Sequence, residues 1–173
     1  MKIVLKPIGK IDAEITAQLK KRLAAIFGCP VETVPLSLDL TKAYDARRGQ
    51  YLAAAIIDGL KREPRIKGEK VLGIVDVDLY APHLNFVFGQ ADIAAETAVI
   101  SLCRLRQEFY RLPEDRELFL ERMTKEAVHE LGHLLGMGHC PDSKCVMHFS
   151  NSLADTDWKQ AAFCTRCQPK LIE

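Results

Sequence analysis

Residues 129–139 read His-Glu-Leu-Gly-His-Leu-Leu-Gly-Met-Gly-His, and this run constrains the fold more than any other. On a helix, positions i and i+4 lie one turn apart on the same face. His129 and His133 can therefore aim two imidazoles at one metal ion, with Glu130 close enough to take a proton from a water on that ion. A helix carrying the pair can stop at Gly136, because glycine takes a left-handed conformation without a Cβ clash. The chain can then turn and bring His139 to the ion from another side. Three neutral imidazoles leave a fourth position open, which separates a catalytic zinc from a structural one.

Four cysteines follow in two close pairs, Cys140 with Cys145 and Cys164 with Cys167. Such pairs are a familiar thiolate layout for zinc. Residues 137–173 are too few, and too poor in apolar periodicity, to bury a core alone, so a second, structural zinc would staple them. Disulfides or free thiols are the alternatives. A zinc ribbon for nucleic acid would need a run of basic residues, and none accompanies the cysteines. Because Cys140 directly follows His139, one dipeptide would join the two metals.

The stretch from His129 to His139 resembles the zinc signature of the metzincin metallopeptidases. Cys140, Cys145-Val-Met147 and Cys164-Thr-Arg-Cys167 narrow the resemblance to one branch, the archaemetzincins. It implies a metzincin-like zincin fold and zinc-dependent hydrolysis of peptide bonds, with Glu130 as general base. It also implies a methionine turn under the zinc at Met147 and an edge strand that pairs with an extended substrate. Some clan members have a tyrosine two residues after that methionine; this chain has Phe149. A metal-binding or interaction protein with little hydrolysis is the alternative in function.

The rest of the chain suits that plan. Asp12 caps a helix with Ile15, Leu19, Leu23 and Ile26 at helical spacing, ending near Gly28. Residues 2–8, 31–38 and 70–79 read as strands, and the alanine-rich 46–62 as a second helix. Strand and helix alternating in this order predict an α/β fold with a mixed, mostly parallel sheet. Residues 86–89 and 98–105 are expected to be antiparallel neighbours. Pro113 and Glu114-Asp115 start the helix that reaches the histidines. The expected division is residues 1–136, an α/β subdomain ending in the active-site helix, and 137–173, a zinc-stapled C-terminal subdomain.

Other residues get ordinary readings: Cys29 and Cys103 as core thiols, His83 and His148 as surface or supporting groups, Asp76 and Asp78 as solvated or capping. A net charge of +1 gives no bulk attraction to nucleic acid or an anionic membrane. The apolar run at the N-terminus is too short for a signal-peptide core, and a core strand there leaves no pro-segment apparent. A cytoplasmic monomer acting on peptides or proteins, with two zinc ions per chain, is the expectation.

Overall fold

The computed structural model describes residues 1–171. In chain order the elements are β1 (Lys2–Pro7), α1 (Ala13–Phe27), β2 (Val31–Thr33), β3 (Tyr44–Asp45), β4 (Gln50–Leu52), α2 (Ala53–Leu60), β5 (Glu69–Val75), β6 (Leu79–Tyr80), β7 (Gly89–Asp92), β8 (Thr97–Ser101), α3 (Arg116–Leu134) and α4 (Leu153–Trp158). Five strands form one sheet in the order β2-β1-β5-β8-β7. The first four run parallel, and β7 lies antiparallel to β8 at the edge. This is the mixed, mostly parallel sheet that the strand–helix alternation predicts.

Alternation along the strands decides which helix covers which face. Ile3, Leu5, Leu72, Ile74, Ala98 and Ile100 point to one side, against Leu19 and Leu23 of α1 and Met123, Ala127 and Leu131 of α3. Val71, Val75 and Val99 point to the other, against Ile56, Ile57 and Leu60 of α2. The α1 boundaries follow the sequence signals. The Asp12 carboxylate accepts from the Glu14 N–H at 2.8 Å, and Gly28 closes the helix at φ 61°.

Three elements differ from the sequence reading. The second strand is regular only over Val31–Thr33; beyond it Val34 and Leu36 still donate to the Leu5 and Pro7 carbonyls at 2.9 and 2.8 Å, with Leu36 bridging Ile8, and Pro35 sits between them where its missing N–H faces away from β1. The helix expected over 46–62 covers only Ala53–Leu60. Tyr51 and Leu52 instead pair with Leu79 and Tyr80, and Tyr44 with Tyr51, in a small three-stranded sheet. The edge strand is 89–92 rather than 86–89, with Val87 only bridging to Leu79. Asp76 is solvated as expected, an exposed carboxylate paired with Arg106 at 2.7 Å, but Asp78 is neither solvated nor a cap: Arg104 grips it with two bonds of 2.6 and 2.8 Å.

Helix α3 is buried on nearly every side, which its mixed composition does not announce. Its polar residues meet α4. Arg122 holds Asp157 by two 2.6 Å bonds, and Glu126 accepts from Thr156 Oγ1 at 3.0 Å. Residues of the C-terminal stretch, Met137, Val146 and Met147 among them, belong to the same core as the sheet. Residues 172 and 173, the end of the expected C-terminal subdomain, lie outside the described residues.

Candidate metal centre

Asp115 starts α3 by accepting from the Leu118 N–H at 3.0 Å. His129 and His133 sit in the last turns of this helix. The chain leaves it through Gly136 at φ 78°, the left-handed conformation expected there. His139 comes back from the following loop, so that one ring nitrogen from each of His129, His133 and His139 lies within 4.8 Å of the others.

The hydrogen bonds fix the tautomers of the first two rings. His129 Nδ1 lies 2.8 Å from the Val146 carbonyl, and His133 Nδ1 lies 2.8 Å from the Met137 carbonyl. A carbonyl only accepts, so both Nδ1 atoms carry the proton and both Nε2 atoms present a lone pair. Those two Nε2 atoms face each other at 3.1 Å. Two lone pairs at that distance repel unless a cation lies between them. A proton is a poor candidate: burial, with the positive field of Lys159, depresses the His129 pKa to about 2. Zinc–nitrogen bonds of 2.0–2.1 Å put neighbouring nitrogens of a tetrahedron about 3.4 Å apart, close to what is seen.

Two glycines make the site possible by what they lack. A Cβ on Gly132 would come within 2.3 Å of Met147 Sδ, so this bare stretch of helix is where the methionine seats, fully buried. A Cβ on Gly89 would fall 2.7 Å from Glu130 Oε1. The edge strand β7 therefore lies directly against the Glu130 carboxylate, which is 5% exposed. Burial, with the nearby Glu126 carboxylate, raises the Glu130 pKa to about 8 in the metal-free chain, against the opposing pull of Lys159. Phe149 packs on His139 at 4.9 Å between ring centroids.

The cysteines converge too. Cys140, Cys145, Cys164 and Cys167 bring their four sulfurs within 4.8 Å of one another. Cys140 and Cys164 are 3.7 Å apart. A disulfide would need about 2.05 Å, whereas zinc–sulfur bonds of 2.3 Å give tetrahedron edges of about 3.8 Å. Burial opposes ionisation of Cys164, yet the backbone N–H groups of Arg166 and Cys167 win and lower its pKa to about 6. Cys103 behaves oppositely: burial lifts it to about 11, although it is only partly buried and lies outside the core clusters where a core thiol was expected.

The two clusters share backbone. Cys140 adjoins His139, and its N–H donates to the Met147 carbonyl at 2.9 Å. His148 Nδ1 bonds to the Cys140 carbonyl at 2.9 Å, a supporting role, while His83 is exposed. Cys145 adjoins Val146, whose carbonyl orients His129. Sequence reasoning missed Gly89 and Gly132, because the atoms they make room for are distant in the chain. It also missed Lys159, buried at 1% exposure beside Glu126.

A parallel sheet with one antiparallel edge, lying over a His-Glu-x-x-His helix whose ion site a later loop completes, defines the class: a zinc-dependent metallopeptidase. The model of peptidase family M54 matches residues 14–173. The archaemetzincin of Methanocaldococcus jannaschii is 43% identical over 172 residues, covering 99% of this chain and 93% of the relative. Crystal structures show the same fold. Archaemetzincin from Methanopyrus kandleri aligns with a TM-score of 0.87 at 43% identity, over 99% of this chain and 93% of the other. A zinc-dependent peptidase from Methanocorpusculum labreanum aligns at 0.89 and 28% identity, over 98% and 99%. The chain belongs to peptidase family M54, the archaemetzincins. Among the described residues, no helix is long and apolar enough to cross a membrane.

Proposed function

We propose that His129, His133 and His139 hold the catalytic zinc, that Glu130 is the general base, and that Cys140, Cys145, Cys164 and Cys167 hold a second, structural zinc. The observation carrying this reading is the pair of Nε2 lone pairs 3.1 Å apart on rings already committed at Nδ1. Zinc in such a site acts as a Lewis acid and brings the pKa of its water near 7. The chain's own groups do the rest. The Glu130 carboxylate takes the proton of the attacking water and delivers it to the leaving amine nitrogen. The open side of β7 offers main-chain groups to an extended peptide, by strand addition. Burial of Glu130 beneath that strand keeps bulk water from its carboxylate. The 137–173 segment acts as a subdomain that the four thiolates staple in place. Six cysteines, four of them in this thiolate cluster, suit a reducing, cytoplasmic setting.

Stepwise metal removal tests this. The histidine site has an open position and borders a cleft, whereas four thiolates form a closed shell. Mild chelation is expected to remove one zinc and all activity with circular dichroism unchanged. Harsher treatment should then release the second zinc and loosen residues 140–171. Loss of both in one step, together with unfolding, would contradict two separate sites.

A further inference from the structure

Beside the imidazoles lies a cleft of about 190 Å³. Leu84, Phe86, Val87 and Phe88 make part of its wall apolar, while Glu126, Ser150 and the proposed base Glu130 are among its polar groups. The aromatic wall is braced: Phe86 meets Phe88 edge-on at 5.1 Å and carries the Arg104 guanidinium 4.4 Å above its ring. Ser150 Oγ is buried with no hydrogen-bond partner. Such an orphan hydroxyl costs stability unless something outside the chain satisfies it. Glu126 Oε1 accepts from Thr156 Oγ1 at 3.0 Å and lies 3.1 Å from Lys159 Nζ, an ion pair without hydrogen-bond geometry. Its Oε2 has no partner among the described residues. The carboxylate is thus neutralised from behind by a fully buried ammonium and keeps an acceptor oxygen for the cleft it borders.

An apolar wall with a charge-compensated acceptor and an unpartnered hydroxyl suits a side chain with a flat apolar body and a neutral polar tip. A cavity of about 150 Å³ holds one benzene ring, so this cleft has room for a ring and a further atom. A lysine or arginine would bring a second cation to a carboxylate that already has one. We propose that the cleft selects tyrosine next to the scissile bond. The phenol O–H donates to Glu126, and Ser150 Oγ donates to the phenol oxygen. A site built to bond a hydroxyl discriminates against the analogue lacking it, because its own polar groups are left unpaired.

This inference rests on the peptidase reading, so its test separates the two. Peptides differing only in Tyr, Phe or Lys at one central position are titrated into zinc-loaded Glu130→Gln protein, and the same peptides are offered to the wild type for cleavage. Tyrosine peptides are expected to bind about 10-fold tighter than phenylalanine peptides or better. Ser150→Ala, a mild change at a buried orphan, should bring that ratio below about 3. So should Glu126→Leu with Lys159→Met, which replaces the ion pair by an apolar pair and strands neither charge. Equal binding of Tyr and Phe peptides by the unaltered cleft, a preference for Lys, or a ratio that survives in both variants would overturn the proposal. Tyrosine-selective binding with no peptide cleaved by the wild type would count against the peptidase reading alone.

Discussion

Glu130→Gln is expected to lower peptide hydrolysis by about 10² or more while the zinc content stays that of the wild type. The amide keeps the size of the side chain against Gly89 and removes its ability to hold a proton. Near-wild-type turnover in this variant would mean that another group is the base. The same substitution has a second readout in metal-free protein. Glu130 has its folded pKa raised to about 8 from the ordinary 4.5 by burial. A raised pKa means that the folded chain binds the proton more tightly. Its contribution is therefore fully present below pH 4.5 and is lost as pH rises through 8. Metal-free Glu130→Gln should thus match the wild type in relative stability at pH 4 and exceed it at pH 8.5, by on the order of 2–4 kcal/mol. Paired denaturant titrations at the two pH values measure this, and a difference independent of pH would contradict it.

The second large effect is expected from Cys145→Ser. Cys145 is 1% exposed, accepts the Cys164 N–H at 3.4 Å, and precedes the residue whose carbonyl orients His129. Structural zinc sites contribute on the order of 10 kcal/mol of apparent binding free energy, much of it folding energy for the segment they close. The variant should lose the structural zinc and melt many degrees lower. It should also bind the catalytic zinc more weakly, because His139 and the Val146 carbonyl are both positioned by the stapled segment. Isothermal titration with zinc and a thermal melt check both parts. A variant that melts lower but binds the second ion with unchanged affinity would break the proposed link between the sites.

The histidine and cysteine clusters were both legible in the sequence because their spacing is local. A helical turn separates His129 from His133, and two or four residues separate the paired cysteines. The α1 boundaries were legible for the same reason, since Asp12 and Gly28 act on their own neighbours. What sequence reading missed depends on partners far along the chain. Gln50-Tyr51-Leu52 looks like part of an alanine-rich helix, yet pairing with Leu79 and Tyr80 takes Tyr51 and Leu52 into a strand. Asp78 looks like a solvated carboxylate until Arg104, 26 residues on, closes over it. Lys159 lies outside any apolar pattern, and only the fold reveals it buried against Glu126. The short α4 was missed because one capped turn and a half leaves little periodicity to read.

Anomalous diffraction across the zinc absorption edge, from crystals of reduced and zinc-loaded protein, tests the two-centre account most directly. Two peaks per chain are expected. One should lie among the ring nitrogens of His129, His133 and His139, about 2.0–2.1 Å from each, and the other among the four cysteine sulfurs at about 2.3 Å. A fully loaded crystal with a peak only at the thiolates, or with the histidine-side peak bound to fewer than three imidazoles, would contradict it.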